Sequence, residues 1–154
     1  MQGKKQHLST LLCPFCRIIG GKELASVIFE DKQVIGFLPK EMEVVGHTLI
    51  IPKHHCKDIF EISEEDLAAA MKVAKRLAEH YRHKLGATGF NFLHASGKSA
   101  QQSVGHFHIH LLPRFEDDGI NAWPKLPGCK ADRESLQNEL KISNSGPAHQ
   151  RDKA

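Results

Sequence analysis

The chain has 154 residues, 40% of them hydrophobic and 25% charged. That is an ordinary globular composition, with enough chain for one domain and one hydrophobic core. With 21 basic against 18 acidic side chains the formal charge is +3, too balanced to point to nucleic acid or a membrane surface. No apolar run is long enough to span a bilayer. The opening MQGKKQHLST has neither an apolar core nor a cleavage site. The expectation is a cytoplasmic protein without a nucleic-acid or membrane partner.

Residues 1–10 are expected to form a flexible N-terminus. Cys13 and Cys16 follow, separated by Pro-Phe; the other cysteines are Cys56 and Cys129. In a reducing compartment C-x-x-C reads as a metal or redox pair rather than a structural disulfide. The spacing can set two thiolates on one tetrahedral ion. Val27 to Glu30 reads as a strand, Asp31 to Gln33 as a turn, and Val34 to Leu38 as a second strand ended by Pro39. A third runs from His47 to Ile51, opened by Gly46 and ended by Pro52. Tight turns between short β-branched runs predict antiparallel pairing.

Ser63 has the character of a helix N-cap, with Asp66 three residues on and Glu64 and Glu65 at the positive helix end. Leu67, Met71, Ala74, Ala78, Tyr81 and Leu85 recur at helical steps, and Gly86 supplies the stop. Gly89 to Leu93 reads as a fourth strand, Ala95 to Ser103 as a polar loop, and His106 to Leu112 as a fifth strand. Ala131 to Ile142 is expected to be a short helix and SNSGPAHQRDKA disordered. The whole reads as α+β: about five antiparallel strands, one long helix and a short C-terminal extension.

The fifth strand carries the chemistry. Side chains two apart on a strand share a face, so His106, His108 and His110 form a row while Phe107 and Ile109 turn to the core. Three readings stand at this point: a polar strand face, a metal site, and catalysis. A neutral imidazole is a good nucleophile near neutral pH and gives a labile phosphoramidate when it attacks phosphorus. A hydrogen bond at one ring nitrogen can fix the tautomer that leaves the other free.

QQSVGHFHIHLLPR, from Gln101 to Arg114, resembles the signature of the histidine triad (HIT) nucleotide-binding and hydrolase family. The likeness extends to CPFC at Cys13, FED at Phe29, GHTLIIPKHH at Gly46 and the long helix, over roughly residues 11 to 115. The resemblance implies a HIT domain at residues 11–128, a polar tail at 129–154, and a homodimer. It implies a nucleotide hydrolase or transferase acting at the α-phosphate of a purine nucleotide through a nucleotidyl-histidine intermediate. His108 would be the nucleophile and His110 would contact the phosphate. Gln102 and Ser103 would bond the phosphate or the leaving atom, and Phe37 would line the base pocket. Zinc-bearing bacterial members imply a structural Zn²⁺ on Cys13, Cys16, His55 and His106, with His54 and Cys56 as rival ligands.

Three positions depart from the family pattern. Pro39 stands where a ribose-binding Asp is usual, with Glu41 or Glu43 as substitutes; Ala95 stands for an Asn, and Gln101 for a Gly. The phosphate end of the site is therefore expected intact and the ribose end altered. Two other functions remain open from the residues: a nucleotide-binding scaffold without catalysis, and a zinc–thiol redox protein. Lys98 reads as a loop lysine or a distal-phosphate contact, and Trp123 as an anchor for the C-terminal segment over a neighbouring subunit's site or as a residue packed on its own sheet.

Overall fold

The computed structural model describes residues 12–122 and 124–142. The expectations for residues 1–10, Trp123 and the segment beyond Ile142 lie outside them. The described residues to Ile120 form one unit and those from Asn121 a second.

In the first unit the order is α1 (Pro14–Ile19), β1 (Ser26–Glu30), β2 (Val34–Leu38), β3 (Thr48–Pro52), α2 (Glu64–Leu85), β4 (Gly89–Leu93) and β5 (Ile109–Arg114). The strands make one antiparallel sheet in the order β1-β2-β3-β5-β4. This is the α+β class that the patterning implies. The β1–β2 turn is closed by Asp31, whose Oδ1 accepts the amides of Gln33 at 2.8 Å and Val34 at 2.7 Å, the side-chain turn that aspartate favours.

β2 and β3 are buried along nearly their whole length, because both faces of the sheet are covered. On one face Val34, Ile50, Phe107, Ile109 and Leu111 pack with Ala70, Val73, Ala74, Leu77 and Tyr81 of α2. On the other, Ile35, Phe37, Leu49 and Ile51 pack with Cys13 and Phe15, flanked by Ile18 and Ile19 of α1. The two-residue alternation of the strands sorts these sets. His110, paired with Leu49, falls on the α1 face.

α2 begins and ends as its sequence dictates. Ser63 Oγ accepts the Asp66 amide at 3.0 Å, three acids occupy the first turn, and Gly86 takes φ +71°, the left-handed stop that glycine adopts without strain. The cap is worth about 1 kcal/mol. The buried stripe differs from the expected one: Ala70, Val73 and Leu77 lie at its centre, while Met71 and Leu85 are exposed. Of the expected line, Ala74 and Tyr81 are buried in the core and Leu67 and Ala78 pack against it; alanines on several faces blur its direction.

Two strand boundaries also move. β3 spans Thr48–Pro52, one residue later than expected. β5 begins at Ile109 rather than His106 and runs through Pro113. The backbone before it bonds elsewhere: the Phe107 amide donates to the Cys56 carbonyl at 2.7 Å. Proline is tolerated because the ladder with β3 ends opposite Leu111, leaving β5 bonded to β4 alone beyond that point. In the second unit, α3 (Arg133–Leu140) is capped by Asp132, which accepts the Ser135 amide at 2.9 Å.

Candidate functional site

The segment 106–110 lies among β3, β4 and α1, and the structure brings most of the expected residues there. His106 and His108 are buried, and His110 is half-buried. His108 Nδ1 lies 2.7 Å from the His106 carbonyl oxygen. A carbonyl only accepts, so Nδ1 carries the proton and the lone pair of the neutral ring is on Nε2. Burial, with His94 nearby, holds the His108 pKa below the usual value against the opposing effect of that carbonyl bond. The ring is therefore neutral near pH 7 with one nitrogen prepared as a nucleophile.

His110 is ordered by a residue that the sequence reading passed over. The Glu43 amide donates to His47 Nδ1 at 3.2 Å, and His47 Nε2 lies 2.9 Å from His110 Nδ1. His47 must then donate from Nε2, which leaves the proton of His110 on its own Nε2. His110 is in this way set as a donor, the role that holding a phosphoryl oxygen requires. Burial, and then His108 and His47, press its pKa down to about 4. The available signal was His47 itself, at the start of a strand opposite the triad.

Phe15, also passed over, meets His108 edge-on at 5.4 Å, His106 at 5.8 Å and Phe37 at 5.7 Å. Phe37 borders a cleft of about 580 Å³ with Ile18, Glu23, Ser26, Pro39 and Lys40. The carboxylate at this cleft is that of Glu23, not Glu41 or Glu43. Arg17 and Lys40 each reach it at 3.5 Å. Ser103 is exposed and borders a separate hollow of about 330 Å³ with Cys13, Pro14 and His55.

Gln102 is committed to backbone. Its Oε1 accepts the Gly97 amide at 2.7 Å, and its Nε2 donates to the carbonyls of Lys57 at 2.7 Å and Val104 at 3.0 Å. Its neighbour Gln101 sits at φ +64°, a left-handed conformation that suits glycine far better than glutamine. Lys98 belongs to a short 3₁₀ turn, Lys98–Ala100, and is exposed.

Cys13, Cys16, His55 and His106 converge, with ligand atoms all within 4.8 Å of one another. Cys13 caps α1 and Cys16 lies within it, so the C-x-x-C spacing is realised as one helical turn. Cys16 Sγ is 3.2 Å from His55 Nδ1 and 3.5 Å from His106 Nδ1; Cys13 Sγ is 3.4 Å from His106 Nδ1, and the two Nδ1 atoms are 3.3 Å apart. Tetrahedral zinc with ordinary bond lengths requires edges of about 3.3–3.8 Å, so the spacing is close to that of a metal site. His106 Nε2 lies 2.9 Å from the Pro52 carbonyl, which puts its proton there and turns the Nδ1 lone pair to the cluster, the usual outer support of a ligand histidine. Burial and the adjacent Cys13 push the Cys16 thiol up to about 12; a cation removes that penalty. His54 is mostly exposed and pairs with Asp66 at 3.6 Å, and Cys56 is buried in the α2 core. Neither rival is in the cluster.

The chain is similar to known proteins in sequence and in fold. The model of the HIT domain matches residues 21–117. A HIT family protein from Bacillus anthracis superposes with a TM-score of 0.75 at 39% identity, covering 84% of this chain and 92% of that one. A Zn-bound histidine triad family protein from Mycobacterium smegmatis does so at 0.70 and 35%, covering 85% and 91%. The adenosine 5′-monophosphoramidase of Saccharomyces cerevisiae is 37% identical over 114 residues, 73% of this chain and 70% of that protein. The domain match, the sheet and the histidine geometry together identify the chain as a member of the HIT domain family.

Proposed function

We propose that this protein is a nucleotide hydrolase or transferase acting at the α-phosphate of a purine nucleoside phosphoramidate or a mono- or dinucleoside polyphosphate. The observation that carries this is His108: neutral, buried, and bonded through Nδ1–H to the His106 carbonyl at 2.7 Å. Its Nε2 attacks phosphorus in line, the leaving group departs, and water or another acceptor then releases the nucleotide from the histidine. His110 donates from Nε2 to a phosphoryl oxygen, where the growing charge is held by a group already oriented. Phe37 contacts the base in the cleft beside α1, and Glu23, steadied by Arg17 and Lys40, takes over the hydroxyl contacts that Pro39 cannot make. Gln102 shapes the loop before the triad, and Ser103 contacts the leaving group.

Zinc on Cys13, Cys16, His55 and His106 completes the reading. Four protein ligands leave no open position, so the ion supplies structure rather than chemistry. It ties α1 to the segment before His108. All four cysteines are free, which suits a reducing cytoplasmic setting. No described helix is long and apolar enough to cross a membrane. A homodimer is favoured by the edge strand β4, where Phe90 and the exposed Phe92 border an apolar hollow with Met71 and Ala78 of α2.

Replacing His108 by alanine is expected to abolish turnover of adenosine 5′-phosphoramidate, a loss of at least about 1000-fold, while nucleotide binding persists. Unchanged turnover sinks the mechanism. Binding without turnover in the wild-type protein, across a nucleotide panel, favours the scaffold reading instead.

A further inference from the structure

The ladder between β4 and β5 stops at the pair Leu93–His110. Continued, the register would bring residue 95 opposite His108, but the chain leaves the sheet after Leu93. The carbonyl of the buried His108 must find another donor. It finds a side chain: His94 Nδ1 lies 2.8 Å from it. The proton is therefore on Nδ1, and the lone pair of the neutral ring is on Nε2. That atom is 2.6 Å from Ser96 Oγ, which itself accepts the Ile59 amide at 2.9 Å. The Ser96 hydroxyl proton thus points to His94. The face of the His94 ring lies over Phe107, with centroids 4.3 Å apart. An exposed histidine is here held at both nitrogens and along one face.

We propose that His94 is a positioning residue for His108, its Nδ1–H fixing the carbonyl and so the peptide plane from which the nucleophile projects. This rests on the reading of His108 as the nucleophile. One hydrogen bond, to the His106 carbonyl, sets the His108 ring; a second, from His94, sets its backbone. In-line attack tolerates little misplacement, about 100-fold in rate for 1 Å. His94 acts through His108 and not on the substrate.

Three substitutions separate this from a simple tie between loops. His94→Asn keeps a donor near the place of Nδ1. His94→Gln moves the donor to the place of Nε2. His94→Phe keeps a ring over Phe107 and has no donor. With adenosine 5′-phosphoramidate, kcat is expected to fall about 10–100-fold in H94F and H94Q, with KM changed less than about threefold and H94N recovering most of the loss. Nitrogen-15 NMR of the imidazoles is expected to find His94 protonated on Nδ1. The His108 ring resonances should shift in H94F and H94Q and return in H94N. Equal kcat in H94N and H94F overturns the proposal, as does a loss confined to KM. If the wild-type protein turns over no nucleotide, the nucleophile reading fails, and the NMR comparison alone decides the contact: His108 resonances unmoved in H94Q overturn it.

Discussion

Single residues here carry two kinds of information. Gln101 is one kind. Its φ of +64° is one that glycine adopts without strain, and this chain retains the strain of a side chain in the left-handed region. Gln101→Gly is expected to stabilise the protein by about 0.5–1 kcal/mol, the side-chain strain relieved less the added freedom of the unfolded chain. Urea denaturation checks it, and a lower midpoint would count against a strained loop. The other kind is tautomer control, which the sequence shows only in part. The spacing of His106, His108 and His110 discloses their row. It does not disclose that the carbonyls of Pro52 and His106, and the ring of His47, decide which nitrogen of each imidazole is bare. Those partners are remote or main-chain atoms, and His47, Phe15 and His94 escape notice for the same reason.

Among the elements, β3 and β5 are joined by more than their ladder. His47, just before β3, and His110, on β5, are stacked at 5.2 Å and hydrogen-bonded. Burial lowers both pKa values; Glu43 opposes this at His47, and His108 and His94 reinforce it at His110. The folded pKa values lie below the unfolded value of about 6.5. The unfolded chain therefore binds more protons in this range, so stability is fullest above about pH 6.5 and is lost as pH falls toward 4. Allowing for the partial exposure of His110, about 1–2 kcal/mol is at stake. Wild-type protein should lose more stability than His110→Gln between pH 7 and 4.5; equal losses would remove this pair as the cause. At this scale the sequence was most readable where one element fixes its own ends. Ser63 and Gly86 bound α2, and Pro39 follows β2. It was least readable at α1, too short for a periodic pattern, and at the start of β5, where backbone partners come from Cys56 and His94.

Taken as a whole, the sheet divides its labour between two faces. The α2 face holds the larger apolar core. The α1 face holds a smaller apolar core, the histidines, the cleft and the Cys13–Cys16–His55–His106 cluster. Chelating the ion from the purified protein should lower the melting temperature by about 10 °C, equivalent to about 3–4 kcal/mol for a domain of this size. Cys13→Ser, melting lower to begin with, should respond little to the chelator. A chelator-insensitive wild type would refute the structural metal. The two faces also differ in their distance along the chain, and this has a kinetic consequence. The cluster joins Cys16 to His106, 90 positions apart, whereas β1, β2 and β3 are consecutive neighbours. Closing so long a loop is entropically slow and comes after local pairing. The nascent chain can therefore pair β1, β2 and β3 before it gains its seal, while β5, and with it His108 and its Phe15 cover, waits for the later long-range closures.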